Sequence, residues 1–212
     1  MKMPTEESVV ESDPIEMRRV QGAHLQPYIE DLARLRIEVF REYPYLYDGD
    51  MGYERRYIER YATSPDSVFV LAIDDGQVVG VATGQPLEHE VASLQQPFRD
   101  HRWPIESIFY FGESVLQRSH RGRGIGAQFI AQREAHARSF SERFEYVAFC
   151  AVDRAVDHPL RPKNYVPLDA FWRKRGFRRE AELQGSLIWK DLNEDVESPK
   201  TLTFWIKSLG AD

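Results

Sequence analysis

Two periods of hydrophobic residues alternate along the chain, and each predicts a different kind of element. Ile15, Met17 and Val20 form a short run before Gly22 and predict a first strand. From Gln26 to Glu42 the apolar residues Ile29, Leu32, Leu35, Ile37, Val39 and Phe40 recur mostly at steps of three and four. This is the pattern of an amphipathic helix, and Pro44 ends it. Tyr43, Tyr45, Tyr47 and Tyr53 crowd the turn that follows, and a second helix is predicted from about Tyr53 to Ala62. Ser67 to Ile73 and Gln77 to Gly84 are β-branched or apolar runs on either side of Asp74-Asp75-Gly76. The glycine there makes a positive φ cheap, so the three segments predict a hairpin.

His89 to Trp103 predicts a short helix with a loop, and Ile105 to Leu116 is apolar and aromatic enough for a central strand. A glycine- and arginine-rich stretch, Arg118 to Gly126, separates that strand from a helix predicted over Ile125 to Phe140, with Phe129, Ile130 and Ala137 on helical spacing. Phe144 to Val152 has the composition of a buried strand. A polar loop carrying Pro159, Pro162 and Pro167 leads to a helix from about Leu168 to Arg175, with Gly176 as its left-handed C-terminal residue. Phe177 begins another strand. Ser186 to Lys190 and Thr201 to Leu209 predict a last pair, joined by the acidic segment Asn193 to Glu197.

A length of 212 residues suits a single domain, expected over residues 13–212 behind an acidic, flexible tail at residues 1–12. No apolar run approaches the roughly 20 residues that cross a bilayer, and Met1 to Glu16 is acidic where a signal peptide would be basic and then apolar. Cys150 is the only cysteine, which excludes an intrachain disulfide and fits a reducing, cytoplasmic setting. The six histidines show no metal-ligand spacing, so no metal is expected. A net charge of −6 argues against general affinity for nucleic acid or anionic membranes, although Arg118 to Arg123 and Arg173 to Arg179 are local basic patches.

The most informative segment is Arg121-Gly122-Arg123-Gly124-Ile125-Gly126, between a predicted strand and a predicted helix. The first turn of a helix carries amides without intrahelical partners and a partial positive charge, and glycine lets a phosphate approach them. Arg121 and Arg123 add charge at the rim. The segment lacks the lysine of a Walker loop and the spacing of Gly-x-Gly-x-x-Gly, which disfavours nucleotide hydrolysis and Rossmann-type binding.

Arg121 to Gly126 reads Arg-x-x-Gly-x-Gly and resembles the coenzyme A pyrophosphate motif of the GNAT superfamily of acyl-CoA N-acyltransferases. Phe171-Trp172-Arg173-Lys174-Arg175-Gly176-Phe177 looks like that family's later helix ending in Gly-Phe. The resemblance covers about Ile15 to Leu209. It implies an α/β (α+β) fold with a central mixed, mostly antiparallel sheet flanked by helices, and acetyl transfer from acetyl-CoA to a primary amine by direct attack. It further implies that the strand Phe109 to Leu116 splays from Phe144 to Val152, with the pantetheine arm in the gap. Backbone groups near Leu116 and Arg118 would pair with that arm, and the amides of Gly122, Arg123, Gly124, Ile125 and Gly126 would hold the pyrophosphate. An N–H near Val115 or Leu116 would polarise the thioester carbonyl.

An attacking amine must lose a proton, and Glu113, on the strand beside the thioester, is the candidate base. Its bland alternative is a strand-end carboxylate paired with an arginine. Many family members carry a tyrosine acid where this chain has Trp172, which cannot serve; Tyr165 in the preceding loop is the substitute. Cys150 is expected in the core, and the tyrosines after the first helix either pack or line the acceptor pocket. The acceptor is expected to be a small-molecule or peptide amine, and a second subunit could pair along an exposed edge at Thr201 to Leu209. The rival readings are a non-catalytic coenzyme A sensor of the same fold and a nucleic-acid binder.

Overall fold

The computed structural model describes residues 15–210, so the tail expected over residues 1–12 lies outside the described residues. Eight strands form one sheet: β1 (Glu16–Val20), β2 (Val68–Asp74), β3 (Gln77–Pro86), β4 (Ile108–Tyr110), β5 (Ser114–Leu116), β6 (Tyr146–Val152), β7 (Arg178–Trp189) and β8 (Ser198–Ser208). Five helices accompany them: α1 (Ile29–Phe40), α2 (Met51–Ala62), α3 (Ala92–Asp100), α4 (Ile125–Arg138) and α5 (Asp169–Arg173). The strand order is β1-β2-β3-β4-β6-β8-β7, with β5 also pairing β3. Only the contact of β4 with β6 is parallel. The mixed, mostly antiparallel sheet inferred from the resemblance is therefore the one observed. Among the described residues no helix is long and apolar enough to cross a membrane.

Strand β2 shows why the centre of the sequence is so apolar. Neighbouring residues of a strand point to opposite faces, and both faces of this sheet are covered. Val68, Val70 and Ala72 join Phe129 and Ile130 of α4 on one side; Phe69, Leu71 and Ile73 join Leu32 and Leu35 of α1 and Ile58 of α2 on the other. The β2–β3 turn places Asp75 and Gly76 at φ +47° and +75°, the pair of positive values that a tight hairpin needs. Helix α2 starts two residues earlier than predicted because the Asp50 carboxylate accepts from the Tyr53 amide at 2.8 Å and caps it.

Four expectations need correction. The first helix is preceded by a 3₁₀ segment over Gly22–Tyr28 that contains Pro27, whose missing N–H cannot join an α ladder. The strand predicted over Ile105 to Leu116 is broken into β4 and β5 by Phe111-Gly112-Glu113. The segments begun by Phe177 and ended by Lys190 are one strand, β7. Its register against β8 shifts between Glu180 and Gln184, and that bulge hides the continuity in the alternation. Finally, Thr201 to Leu209 is not an edge. Strand β8 lies between β6 and β7, so its backbone is paired on both sides and the outer strand is β7.

Candidate active site

The break between β4 and β5 builds the site. Up to Phe111 the chain bonds sideways to β6, and the Phe111 amide donates to Ala148 O at 2.7 Å. Gly112 N then donates to Thr83 O at 3.1 Å, Thr83 N to Glu113 O at 3.0 Å, and Glu113 N to the Thr83 hydroxyl at 3.2 Å, so the chain has changed partner to β3. Gly112 is required there: a Cβ would lie 2.6 Å from Thr83 Oγ1 and 2.9 Å from the Tyr61 hydroxyl. Among the described residues nothing pairs with that edge of β6 beyond Ala148, and β5 pairs with β3 and not with β6, so the two strands part at the place where the resemblance implies a gap.

Alternation decides which β5 groups face the gap. The bonds Thr83 N to Glu113 O and Gln117 N to Val79 O assign the backbone groups of Glu113, Val115 and Gln117 to β3. Those of Ser114 and Leu116 therefore point away from β3. Of the two residues expected to offer an amide to a thioester, Val115 has its backbone turned to β3 and its side chain buried against α1 and α2, and Leu116 has its backbone turned away from β3.

Arg133 of α4, which sequence reading missed, braces this arrangement from below. Its Nη1 donates to Thr83 O and Glu113 O, both at 3.1 Å, its Nη2 to the Ser114 hydroxyl at 2.8 Å and its Nε to Phe129 O at 3.1 Å. Its guanidinium lies 4.1 Å from the Phe111 ring centroid. Burial works against the charge and lowers the arginine's pKa, so these acceptors carry its solvation.

The glycine loop follows directly from β5. Gly122 and Gly124 have φ of +80° and +82°, and a Cβ on either would meet nothing within 4 Å. Gly124 is the residue before α4, and the amides of Gly122, Arg123, Gly124, Ile125 and Gly126 have no hydrogen-bond acceptor among the described residues. Left-handed glycines, open space and free amides at a helix start form a cradle that a pyrophosphate fits. The arginine side chains are occupied otherwise. Arg121 donates to Leu116 O at 3.1 Å and to Glu42 at 2.8 Å, while Arg123 and His120 both approach Asp74, at 3.5 and 2.9 Å. Arg118 is exposed, and the Ile125 side chain is buried, so Ile125 can contribute only its amide. Phe171 of α5 packs beneath the loop: a Cβ on Gly126 would lie 3.3 Å from its ring. Arg175 covers that ring at 3.5 Å.

On the α1–α2 side of the sheet Glu113 is buried in an ionic cluster. Arg36 Nη1 and Glu113 Oε1 are 2.5 Å apart, an ion pair without the angles of a hydrogen bond, and Arg36 Nε donates to Glu54. The Tyr57 hydroxyl donates to Glu113 Oε2 at 3.1 Å, and its ring lies 4.2 Å from the guanidinium. Burial alone would lower the pKa of Arg36, but Glu113, Tyr57 and Glu54 raise it well above the ordinary value. Glu113 and Glu54 share one guanidinium, a formal net charge of −1. Arg36→Met leaves both carboxylates without a counter-charge; it is expected to lower the unfolding free energy by about 3–5 kcal/mol in urea titrations. A loss below about 1 kcal/mol would show that the cluster is hydrated.

Tyrosines gather around this cluster. Burial raises the pKa of Tyr45, with smaller contributions from Cys150, Glu113 and Tyr165, and its ring packs against Phe40 at 4.7 Å. Tyr165 stacks edge-on against Tyr43 at 4.7 Å, and burial raises its pKa also. Trp172 is half-buried and packs against the core, 5.0 Å from both Phe149 and Trp205. Burial pushes the Cys150 thiol up to about 12, and the Tyr110 hydroxyl is 3.0 Å from its sulfur; the residue expected in the core is half-buried and packs against it. Among the described residues no three His, Cys, Asp or Glu side chains are grouped to hold a metal ion.

The fold recurs in solved structures. A ribosomal-protein-alanine N-acetyltransferase from Brucella melitensis superposes with a TM-score of 0.60 at 15% identity, over 91% of this chain and 99% of that one. An N-acetyltransferase from Staphylococcus aureus Mu50 gives 0.59 at 12% identity, over 93% and 99%. An acetyltransferase from Salmonella typhimurium, solved with its cofactor acetyl-CoA, gives 0.60 at 11% identity, over 94% and 96%. At these identities the likeness establishes the fold alone. No curated protein sequence matches the chain. The model of the acetyltransferase (GNAT) family does match it, over residues 30–177, from α1 through the glycine loop to the Gly-Phe end of α5: the chain belongs to the GNAT family of acetyltransferases.

Proposed function

We propose that the protein transfers an acetyl group from acetyl-CoA to a primary amine of a small molecule or peptide, by direct attack and without a covalent enzyme intermediate. The observation that carries this reading is the continuity of the open edge of β5 with the cradle of free amides at Gly122–Gly126. Those amides bind the pyrophosphate, and the gap-facing backbone of β5 takes the pantetheine arm. Acetyl-CoA, when bound, supplies an activated carbonyl and a thiolate that leaves with little assistance. The Leu116 amide donates to the carbonyl oxygen as charge develops there. Glu113 receives the proton of the incoming ammonium through Oε2, the oxygen not shared with Arg36. Tyr165, protonated at neutral pH as an ordinary tyrosine is and with its pKa raised further by partial burial, gives its proton to the departing sulfur and regains one from the acceptor nitrogen as the amide forms. A lone thiol suits a reducing, cytoplasmic setting.

Calorimetric titration with acetyl-CoA, with ATP and NADH as controls, tests the donor half, and turnover on a panel of amines tests the acceptor half. Saturable binding selective for acetyl-CoA, followed by acetylation of at least one amine, is the expected result. Folded protein that ignores acetyl-CoA would refute the proposal.

A further inference from the structure

A second chemical feature adjoins Glu113 and has no part in the reaction as described. A cavity of about 390 Å³ lies between the end of α2 and the segment that leaves β3, walled by Tyr57, Tyr61, Ser64, Gln85, His89 and Glu90. Tyr57 joins the two places: it lines the cavity, and its hydroxyl reaches Glu113. Tyr61, 5% exposed, places its hydroxyl beside Gly112 and near Thr83 without completing a hydrogen bond.

Glu90 is the unusual group. Its carboxylate accepts from Gln85 Nε2 at 2.8 Å and from the Val91 amide at 3.3 Å, and it forms no salt bridge among the described residues. Burial raises its pKa, with the Gln85 hydrogen bond pulling the other way. Glu90 is thus a half-buried carboxylate held by two hydrogen bonds and, among the described residues, no salt bridge, and Tyr57 and Tyr61 line the same cavity, an environment that attracts an ammonium ion. His89 is engaged with the Ser64 hydroxyl at 2.7 Å, and Arg60, the remaining cation, is exposed at the mouth. A simple monoamine would be served by the Glu113 cluster alone and would leave Glu90 with no function.

We propose that the acceptor is a diamine or longer polyamine, one nitrogen reacting beside Glu113 while a second, as ammonium, pairs with Glu90 between Tyr57 and Tyr61. This rests on the amine-acetylating function proposed above. Pro65 and Val91 supply apolar wall for the methylene chain between the two nitrogens.

The test is calorimetry on the full chain with 1,5-diaminopentane, n-pentylamine and lysine, in the wild type and in Glu90→Gln. In the wild type the diamine should bind at least about tenfold more tightly than the monoamine. Glu90→Gln should erase that preference while acetyl-CoA affinity stays unchanged. Equal affinities for diamine and monoamine in the unaltered protein would overturn the proposal without reliance on any variant. So would a preference that survives Glu90→Gln, or tightest binding by lysine that is lost in Arg60→Ala, which would indicate a zwitterionic acceptor. Acetylation of n-pentylamine with no diamine preference would sink this inference and leave the enzymatic reading standing. Failure to bind acetyl-CoA would sink the enzymatic reading itself.

Discussion

Gly124→Val is expected to reduce acetyl-CoA affinity by more than about a hundredfold and to leave the protein folded. Valine at that position does two separable things. It forces a β-branched residue to φ +82°, which costs at least about 1–2 kcal/mol wherever it occurs. It also projects methyl groups into the open space in front of the amides of Gly122 to Gly126, where a phosphate must approach to hydrogen-bond distance. Gly76→Val isolates the first effect. Gly76 sits in the β2–β3 turn at φ +75°, also with nothing within 4 Å of its Cβ position, and no binding amides surround it. Both variants should therefore lose several degrees of thermal stability, at about 2–4 °C per kcal/mol for a chain of this size. Only the Gly124 variant should lose acetyl-CoA. Unchanged affinity there would remove the glycine loop from the donor site, and equal loss in both would show that the effect is destabilisation.

That loop was legible in the sequence because its chemistry is local. Contiguous residues supply the strand end, the left-handed glycines and the helix start, so composition and order carry the information. The gap beside it was legible only through the resemblance, and its parity was not. Whether Val115 or Leu116 turns its amide outward depends on where the chain changes partner, and Gly112 fixes that point through Thr83, which is 29 positions earlier. The Arg36–Glu54–Glu113 cluster and the brace from Arg133 were hidden for the same reason. Each joins segments far apart in sequence, and an arginine on an otherwise amphipathic helix reads as solvated until the tertiary contacts are known. Strand β7 was read as two pieces because its bulge interrupts the alternation that strand prediction depends on. The acidic residue Glu113 stood out on its strand, but the sequence left open whether it would meet an arginine; it does, and that contact alone does not determine its role.

Glu113→Gln separates the two roles. The change preserves shape and leaves Arg36 paired one-to-one with Glu54, so the formal net charge goes from −1 to zero and stability should change by less than about 1 kcal/mol. Acetyl-CoA affinity should be unaffected, because the Glu113 side chain faces Arg36 and Tyr57 and not the glycine loop. Turnover should fall about 10²- to 10⁴-fold if the carboxylate takes the acceptor's proton. The diagnostic is how that loss varies with acceptor basicity. A lysine-like amine, with a pKa of about 10.4, is unprotonated in roughly one molecule per thousand near neutral pH and needs a base for nearly every productive encounter. An amine weakened by an electron-withdrawing substituent, so that it is largely unprotonated already, needs none. The loss on Glu113→Gln should therefore shrink to less than about tenfold for the weak amine while remaining large for the strong one. An equal loss for both would mean that Glu113 positions Tyr57 and Arg36 around the acceptor and that the proton leaves by another route.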